Sequence, residues 1–123
     1  MSQLLPAGKL PADLLKRLLR DYVRRDPRVI VGPAVGEDAA VIDFGERYLI
    51  AKTDPITFAS DEIGWYAVNV NANDIACSGG EPRWFLATAL LPAGQADAAM
   101  AEGIFSQLAR ACEALGVSLC GGH

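Results

Sequence analysis

The chain has 123 residues, 51% of them hydrophobic and 7% aromatic, enough apolar material for one globular domain with a core of its own. Eleven Lys and Arg against fifteen Asp and Glu leave a formal charge of −4 with no basic run, which argues against nucleic acid or an anionic membrane as a partner. No apolar run reaches the length of a membrane span, and Cys77, Cys112 and Cys120 form no CxxC and have no His at zinc spacing, so they read as small core residues of a cytoplasmic protein in a reducing compartment.

Residues 1–10 are expected to form a short, mobile lead. Pro11 suits the first turn of a helix, Asp13 lies near its start and Arg24 and Arg25 near its end, and Leu14, Leu15, Leu18, Leu19, Tyr22 and Val23 make one apolar stripe that Asp26-Pro27 stops. Such a helix needs a surface to dock on. Val29, Ile30 and Val31 lead into the loop GPAVGED at 32–38. AAVID at 39–43 and RYLIAKTD at 47–54 then flank a turn containing Gly45, which predicts a β-hairpin. Asp38 precedes its first strand and Asp54 follows its second, so an antiparallel pairing would set both at one end of the sheet.

A helix over 61–78 closes on Gly79-Gly80 and Pro82, and the run WFLATALL at 84–91 reads as a strand buried on both faces. A further helix over 95–115 places Met100, Ile104, Leu108, Ala111 and Leu115 on one stripe, with Phe105 and Cys112 beside it. Gly116 caps it, and VSLC begins a last strand that runs into Gly121-Gly122-His123. The order α-β-β-β-α-β-α-β predicts an α/β fold around a mixed, four-stranded sheet with helices on one face, residues 1–123 forming a single domain without repeat or linker. A strand followed by an unfinished loop reads as a fragment of a longer protein.

The stretch Ser60–Pro82 organises the rest. From Ile63 to Ser78 it contains no Lys, Arg or Glu, so it lacks the solvated face of a surface helix and is expected to be buried. Yet it carries Asp74, with Asn69, Asn71 and Asn73 around it, and a carboxylate inside a domain must be hydrogen-bonded, paired or bound to a cation.

Asp38, Asp54 and Asp74 are sixteen and twenty residues apart, each beside an apolar element. Brought together they would repel one another, and a hard cation such as Mg²⁺ resolves this while leaving positions for phosphate oxygens. The phosphate-loop pattern GxxxxGK[ST] is absent, and Gly32-x-x-x-Gly36 is not a dinucleotide fingerprint. The alternative keeps Asp38 and Asp54 as turn or cap residues and Asp74 as a hydrogen-bonded core acid.

GEDAAVI at 36–42, KTD at 52–54, NANDIACSGGEP at 71–82 and GVSLCGGH at 116–123 stand in an order that resembles the N-terminal domain of the aminoimidazole ribonucleotide (AIR) synthetase-related superfamily, over about residues 12–123. The superfamily includes AIR synthetase, selenophosphate synthetase, thiamine-monophosphate kinase and a hydrogenase maturation protein, and the GEDAAVI and Asn-Asp-Ile-Ala runs are most similar to the hydrogenase-maturation-like, AIR synthase related branch. The resemblance implies a sheet that pairs with a second copy as a β-barrel homodimer, binding ATP and Mg²⁺ near the interface and using the γ-phosphate to activate a carbonyl, amide or phosphate-accepting oxygen. By motif position it implies Asp38, Asp54, Asp74 and Glu37 as metal ligands, Lys52 as a charge for phosphate, Asn71 and Asn73 as site-lining residues, and Gly79 and Gly80 as points of close backbone approach. The two glycines read equally as a plain helix stop.

Two departures stand out. Several branches have Gly-Gly-Asp where this chain has Gly121-Gly122-His123, so a carboxylate is missing or replaced by an imidazole, and the superfamily's C-terminal domain has no counterpart here. The catalytic residues stay unassigned. Two classes of function follow: an ATP- and Mg²⁺-dependent enzyme domain that needs a C-terminal domain or a substrate protein for turnover, and a dimerisation or binding module that keeps the fold without turnover.

Overall fold

The observed order is α1 (Ala12–Tyr22), β1 (Val29–Val31), β2 (Ala40–Asp43), β3 (Tyr48–Ala51), α2 (Ile63–Cys77), β4 (Trp84–Ala87), α3 (Ala98–Leu115) and β5 (Ser118–Gly122), the succession that the apolar periodicities predict. It comes from a computed structural model that describes residues 4–57 and 61–123. Residues 1–3 of the expected lead and Ser60 lie outside the described residues. The chain forms two compact units, Met1–Ala51 and Lys52–His123.

In the first unit Pro11 stands at the N-cap of α1, and its carbonyl accepts from the Leu15 N–H at 3.0 Å. Leu14, Leu15, Leu18 and Leu19 are half-buried, and no residue of α1 is fully buried. β2 and β3 form the expected hairpin, in register from Ala40 opposite Ala51 to Asp43 opposite Tyr48. Its turn closes through the Asp43 carboxylate, which accepts from the Gly45 N–H at 2.8 Å, and through a Phe44 N–H bond to the Arg47 carbonyl at 2.9 Å. β1 adds to the other edge of β2, antiparallel and with an irregular step between Val29 and Val31.

The second unit is built on α2 and α3. Val68, Leu108, Ala111, Cys112 and Val117 are its buried core, with Ala67, Phe85, Ala87, Ile104 and Leu119 packed around them. Close approach of the two helices is possible because residue 64 has no side chain: a Cβ there would lie 2.6 Å from the Gln107 Cβ and 2.8 Å from the Leu108 nitrogen. Gln107 also finishes the start of α2, which has no side-chain cap of its own. Its Oε1 accepts from the Gly64 N–H at 2.9 Å and its Nε2 donates to the Asp61 carbonyl at 2.8 Å. α3 is capped at both ends, by the Asp97 carboxylate on the Met100 N–H at 2.8 Å and by left-handed Gly116.

β4 and β5 are parallel, as a helical crossover requires. The ladder slips after Phe85–Leu119, leaving Cys120 as the extra residue before Leu86 meets Gly121 and Ala87 meets Gly122. A Cβ on residue 122 would fall on the Ala87 carbonyl, so only glycine fits there. The His123 backbone continues the pairing, its N–H donating to the Ala87 carbonyl at 2.7 Å and its own carbonyl accepting from the Ala89 N–H at 2.8 Å.

Several expectations need correction. In place of one mixed, four-stranded sheet, the described strands make a three-stranded antiparallel sheet β1-β2-β3 and a two-stranded parallel sheet β4-β5. Each strand finds its partner locally, through a tight turn or through one crossover. β4 covers only half of the run 84–91 and alternates, with Phe85 and Ala87 inward and Trp84 and Leu86 67% and 69% exposed. α2 buries one stripe rather than its whole surface: Gly64 and Val68 are enclosed, but Trp65 and Tyr66 are exposed and stack edge to face. α3 seats Leu108, Ala111 and Cys112, while Met100 and Leu115 of the expected stripe, and Phe105 beside it, stay exposed because α2 and β5 cover only part of its surface. Of the three cysteines only Cys112 is a core residue; Cys77 and Cys120 are exposed.

Candidate functional site

The second half of α2 turns polar along the stripe that its first half buries. Asn71 follows Ala67 by one turn and Asp74 follows Asn71 by three residues, so both remain on the side that Gly64 and Val68 define. The segment just past β3 runs beside this polar half without regular structure. Here Lys52 lays its side chain down, only 4% exposed, and its ammonium donates to the Asp74 carboxylate. A second carboxylate, Asp54, stands 3.5 Å from the same Nζ.

A buried ammonium is costly unless charges answer it. Burial works against the charged form of Lys52, but the hydrogen bond and the charge of Asp74, joined by those of Asp54, outweigh it and hold the Lys52 pKa above its ordinary value. The two acids differ in access. Asp74 is 23% exposed and Asp54 46%, so each keeps a face toward solvent while Lys52 has almost none.

Asn71 ties the loop to the helix. Its Nδ2 donates to the Ala67 carbonyl at 2.8 Å and to the Asp54 backbone carbonyl at 3.3 Å. The Oδ1 of the same amide is buried and accepts no hydrogen bond among the described residues. An acceptor left unpaired in this way carries a desolvation cost that a ligand donor or a cation would remove. Two carboxylates and one amide oxygen are hard donors that suit Mg²⁺, so this set fits the cation that the sequence suggests.

Of the residues singled out from the sequence, the structure gathers Lys52, Asp54, Asn71 and Asp74 within the second unit. Asn73 is exposed on α2, one position before Asp74. Gly79 has φ +81° and donates to the Ala76 carbonyl, and Gly80 donates to the Ile75 carbonyl, the geometry of a helix stop. Glu37 and Asp38 belong to the first unit, exposed in the loop before β2. Among the described residues, no three His, Cys, Asp or Glu side chains stand together as a metal-holding cluster.

The direct Lys52–Asp74 pair is absent from the sequence reading, which assigns Lys52 to phosphate and Asp74 to a cation. Its signal was present, because a lone carboxylate on a helix without basic residues needs a counter-charge from elsewhere. Gly64 and Gln107 were also missed; nothing in their spacing marks a helix contact. On another side of α2 a shallow groove of about 250 Å³ runs along α3 between Trp65, Asn69, Arg110 and Ala114.

Comparison with known proteins places this site in context. The profile of the AIR synthase related protein, N-terminal domain, matches residues 36–123. Among curated relatives, the thiamine-monophosphate kinase of Aquifex aeolicus is 26% identical over 119 residues, covering 90% of this chain and 35% of that protein. The selenide, water dikinase of Haemophilus ducreyi is 33% identical over 119 residues, covering 94% and 34%. The solved structure of AaThiL complexed with AMPPCP and TMP superimposes with a TM-score of 0.68 at 26% identity, over 89% of this chain and 34% of that one. The chain thus spans about a third of the length of the relatives it matches. Among the described residues no helix is long and apolar enough to cross a membrane.

Proposed function

The chain belongs to the AIR synthase related family, in the part that forms the family's N-terminal domain, and on that premise we propose that it is the ATP- and Mg²⁺-binding, dimerising part of an ATP-dependent enzyme. The observation that carries the reading is the set Lys52, Asp54, Asn71 and Asp74: one cation and three hard oxygen donors on a family motif, one of those oxygens buried without a partner. Phosphoryl chemistry needs positioning and charge neutralisation more than covalent help from the protein, and this set offers both. Asp54 and Asp74 would hold Mg²⁺, Asn71 and Asn73 would line the site, and Lys52 would offer charge to phosphate. By motif position Glu37 and Asp38, on the first unit, are also proposed as metal ligands, and Gly79 and Gly80, on the second, as points of close backbone approach. The family's relatives with an ATP analogue or a kinase name support nucleotide use. The GEDAAVI and Asn-Asp-Ile-Ala runs keep the hydrogenase-maturation-like branch within the proposal.

Calorimetric titration with Mg²⁺·ATP tests it. Asp74→Asn removes one ligand charge and is expected to keep the fold, because Asn still accepts from Lys52, while weakening Mg²⁺·ATP binding about tenfold or more. Equal affinity of both proteins, or unfolding of the variant, refutes the ligand role and leaves a structural acid.

The dimer has its own support. Each unit leaves apolar side chains about two-thirds exposed on its strands, Tyr48 in the first and Trp84 and Leu86 in the second, and such exposure favours cover by a partner. The same display favours the second reading, a dimerisation module without turnover. Light scattering is expected to give twice 13.0 kDa or a larger even multiple; a stable monomer refutes the dimer in either reading. ATP consumption by the dimer in the presence of acceptor separates the enzyme from the module.

A further inference from the structure

The ammonium of Lys52 occupies the two carboxylates that a divalent cation would need, and this has a consequence for how such a site is loaded. Lys52 is held by Asp74 and Asp54 with 4% of its side chain exposed. The carboxylates and the ammonium together carry a net charge of −1, against −2 for the acids alone. A divalent cation arriving at Asp54 and Asp74 would meet a fixed positive charge in direct contact with one ligand and 3.5 Å from the other. Two cations cannot share these oxygens cheaply at partial burial.

We propose that Lys52 is the built-in counter-ion of this site, held on Asp74 and Asp54 in the unloaded protein and displaced from them by a divalent cation. The inference rests on the proposed function for the identity of the ligand. Three observations bear on it besides the ion pair. Asp74 and Asp54 keep 23% and 46% of their side chains exposed, so a cation can reach them. The Oδ1 of Asn71, on the amide whose nitrogen holds the Asp54 carbonyl, is buried without a partner among the described residues, so a neutral acceptor next to the Asp54 backbone is left unused. And Lys carries its charge on a flexible four-carbon stem, so the ammonium can leave one anion for another without moving the backbone, which the planar fork of Arg cannot do as freely.

The arrangement makes Lys52 an exchange device: it stabilises the acids when no cation is present and becomes free for an anion, such as a phosphate oxygen, when one is. A bare divalent cation then binds weakly, because it must break the Lys52 pair. A cation that arrives with a phosphate binds more tightly, because the released ammonium gains a partner.

Titration of the chain with Mn²⁺ alone, followed by calorimetry, tests this with a sign that an ordinary structural ion pair does not share. Lys52→Met leaves two carboxylates unanswered and is expected to bind Mn²⁺ about tenfold tighter than the wild-type chain, to melt at lower temperature without metal, and to gain more from metal than the wild type does. Lys52→Arg keeps the charge and is expected to bind Mn²⁺ no tighter than wild type. Should Lys52→Met fail to fold, the wild-type chain supplies a second measurement: the hydrogen-bonded Lys52 ammonium, seen by ¹⁵N NMR, is expected to shift or vanish on saturation with Mg²⁺. Equal or weaker Mn²⁺ binding by a folded Lys52→Met, or an unchanged ammonium signal at saturating Mg²⁺, overturns the inference but leaves the proposed function standing if Mg²⁺·ATP still binds. Absence of any binding of metal or Mg²⁺·ATP by wild type and variant overturns both.

Discussion

In the first half of α2, Gly64, Ala67 and Val68 lie against α3 with almost no polar contact except the Gln107 amide, whereas in the second half Asn71 and Asp74 continue the same stripe with groups that end on Lys52 and Asp54. The first half is held by shape. Nothing in it can be exchanged, because the backbones approach so closely that even one added carbon collides. The second half is held by charge, and a charge pair can be traded for another of the same sign. A rigid apolar half that sets the helix, joined to a polar half whose partner can be replaced, is a reasonable way to carry a ligand site.

The comparison breaks most visibly at Gly64. Gly64→Leu drives its side chain into Gln107 and the Leu108 backbone, and the expected result is loss of about 3 kcal/mol or more by chemical denaturation, or failure to fold. A loss under about 1 kcal/mol would mean that the two helices can part without harm, and that shape does not hold the first half. Leu108→Ala empties a position that is 3% exposed on the facing helix and is expected to cost about 2–5 kcal/mol. Its Mg²⁺·ATP affinity, measured where the variant is folded, should stay near wild type if the two halves are independent.

Asn71→Ala sharpens the contrast from the other side. It releases the Asp54 carbonyl but also removes a buried acceptor without a partner, so its expected cost is only about 1 kcal/mol, read as a small shift in denaturation midpoint. The same variant should weaken cation binding more than it weakens the fold. The smallest effect is one of pH. Since the pKa of Lys52 is raised above 10.5 in the folded protein, its pair stabilises fully below that value and is lost as pH rises beyond it. Wild type should therefore lose stability more steeply than Lys52→Met as pH rises above 10.5, and parallel curves would show that the pair contributes little.

Much of the candidate site was legible because its motifs are contiguous. The KTD run and the Asn-Asp run each bring a carboxylate with its neighbours, and the absence of Lys, Arg and Glu from 63–78 announced that Asp74 would need an answer from elsewhere. What stayed hidden was the identity of that answer. Lys52 lies twenty-two residues from Asp74 in sequence, and no periodicity links a loop residue to a helix position. The hairpin over 40–51 was legible for the opposite reason, since strand, turn and strand lie within one short segment and their pairing is local.

The amino-acid order alone determined which segments are helices and strands and in which succession they come, because those follow from periodicity, Gly and Pro over a few residues, but not that β4 would stop at Ala87. It set the amphipathic stripes too, but not what covers them: α1 carries the Leu-rich stripe and buries none of it fully, while α3 enclosed only the part of its stripe that α2 and β5 reach. Only the tertiary structure decided that the strands would divide into two sheets, that a glycine at 64 would be the contact point of two helices, and that Lys52 would close on Asp74. Each of these depends on which distant surfaces meet, and that is settled by the sum of many weak contacts over the whole chain rather than by any local pattern.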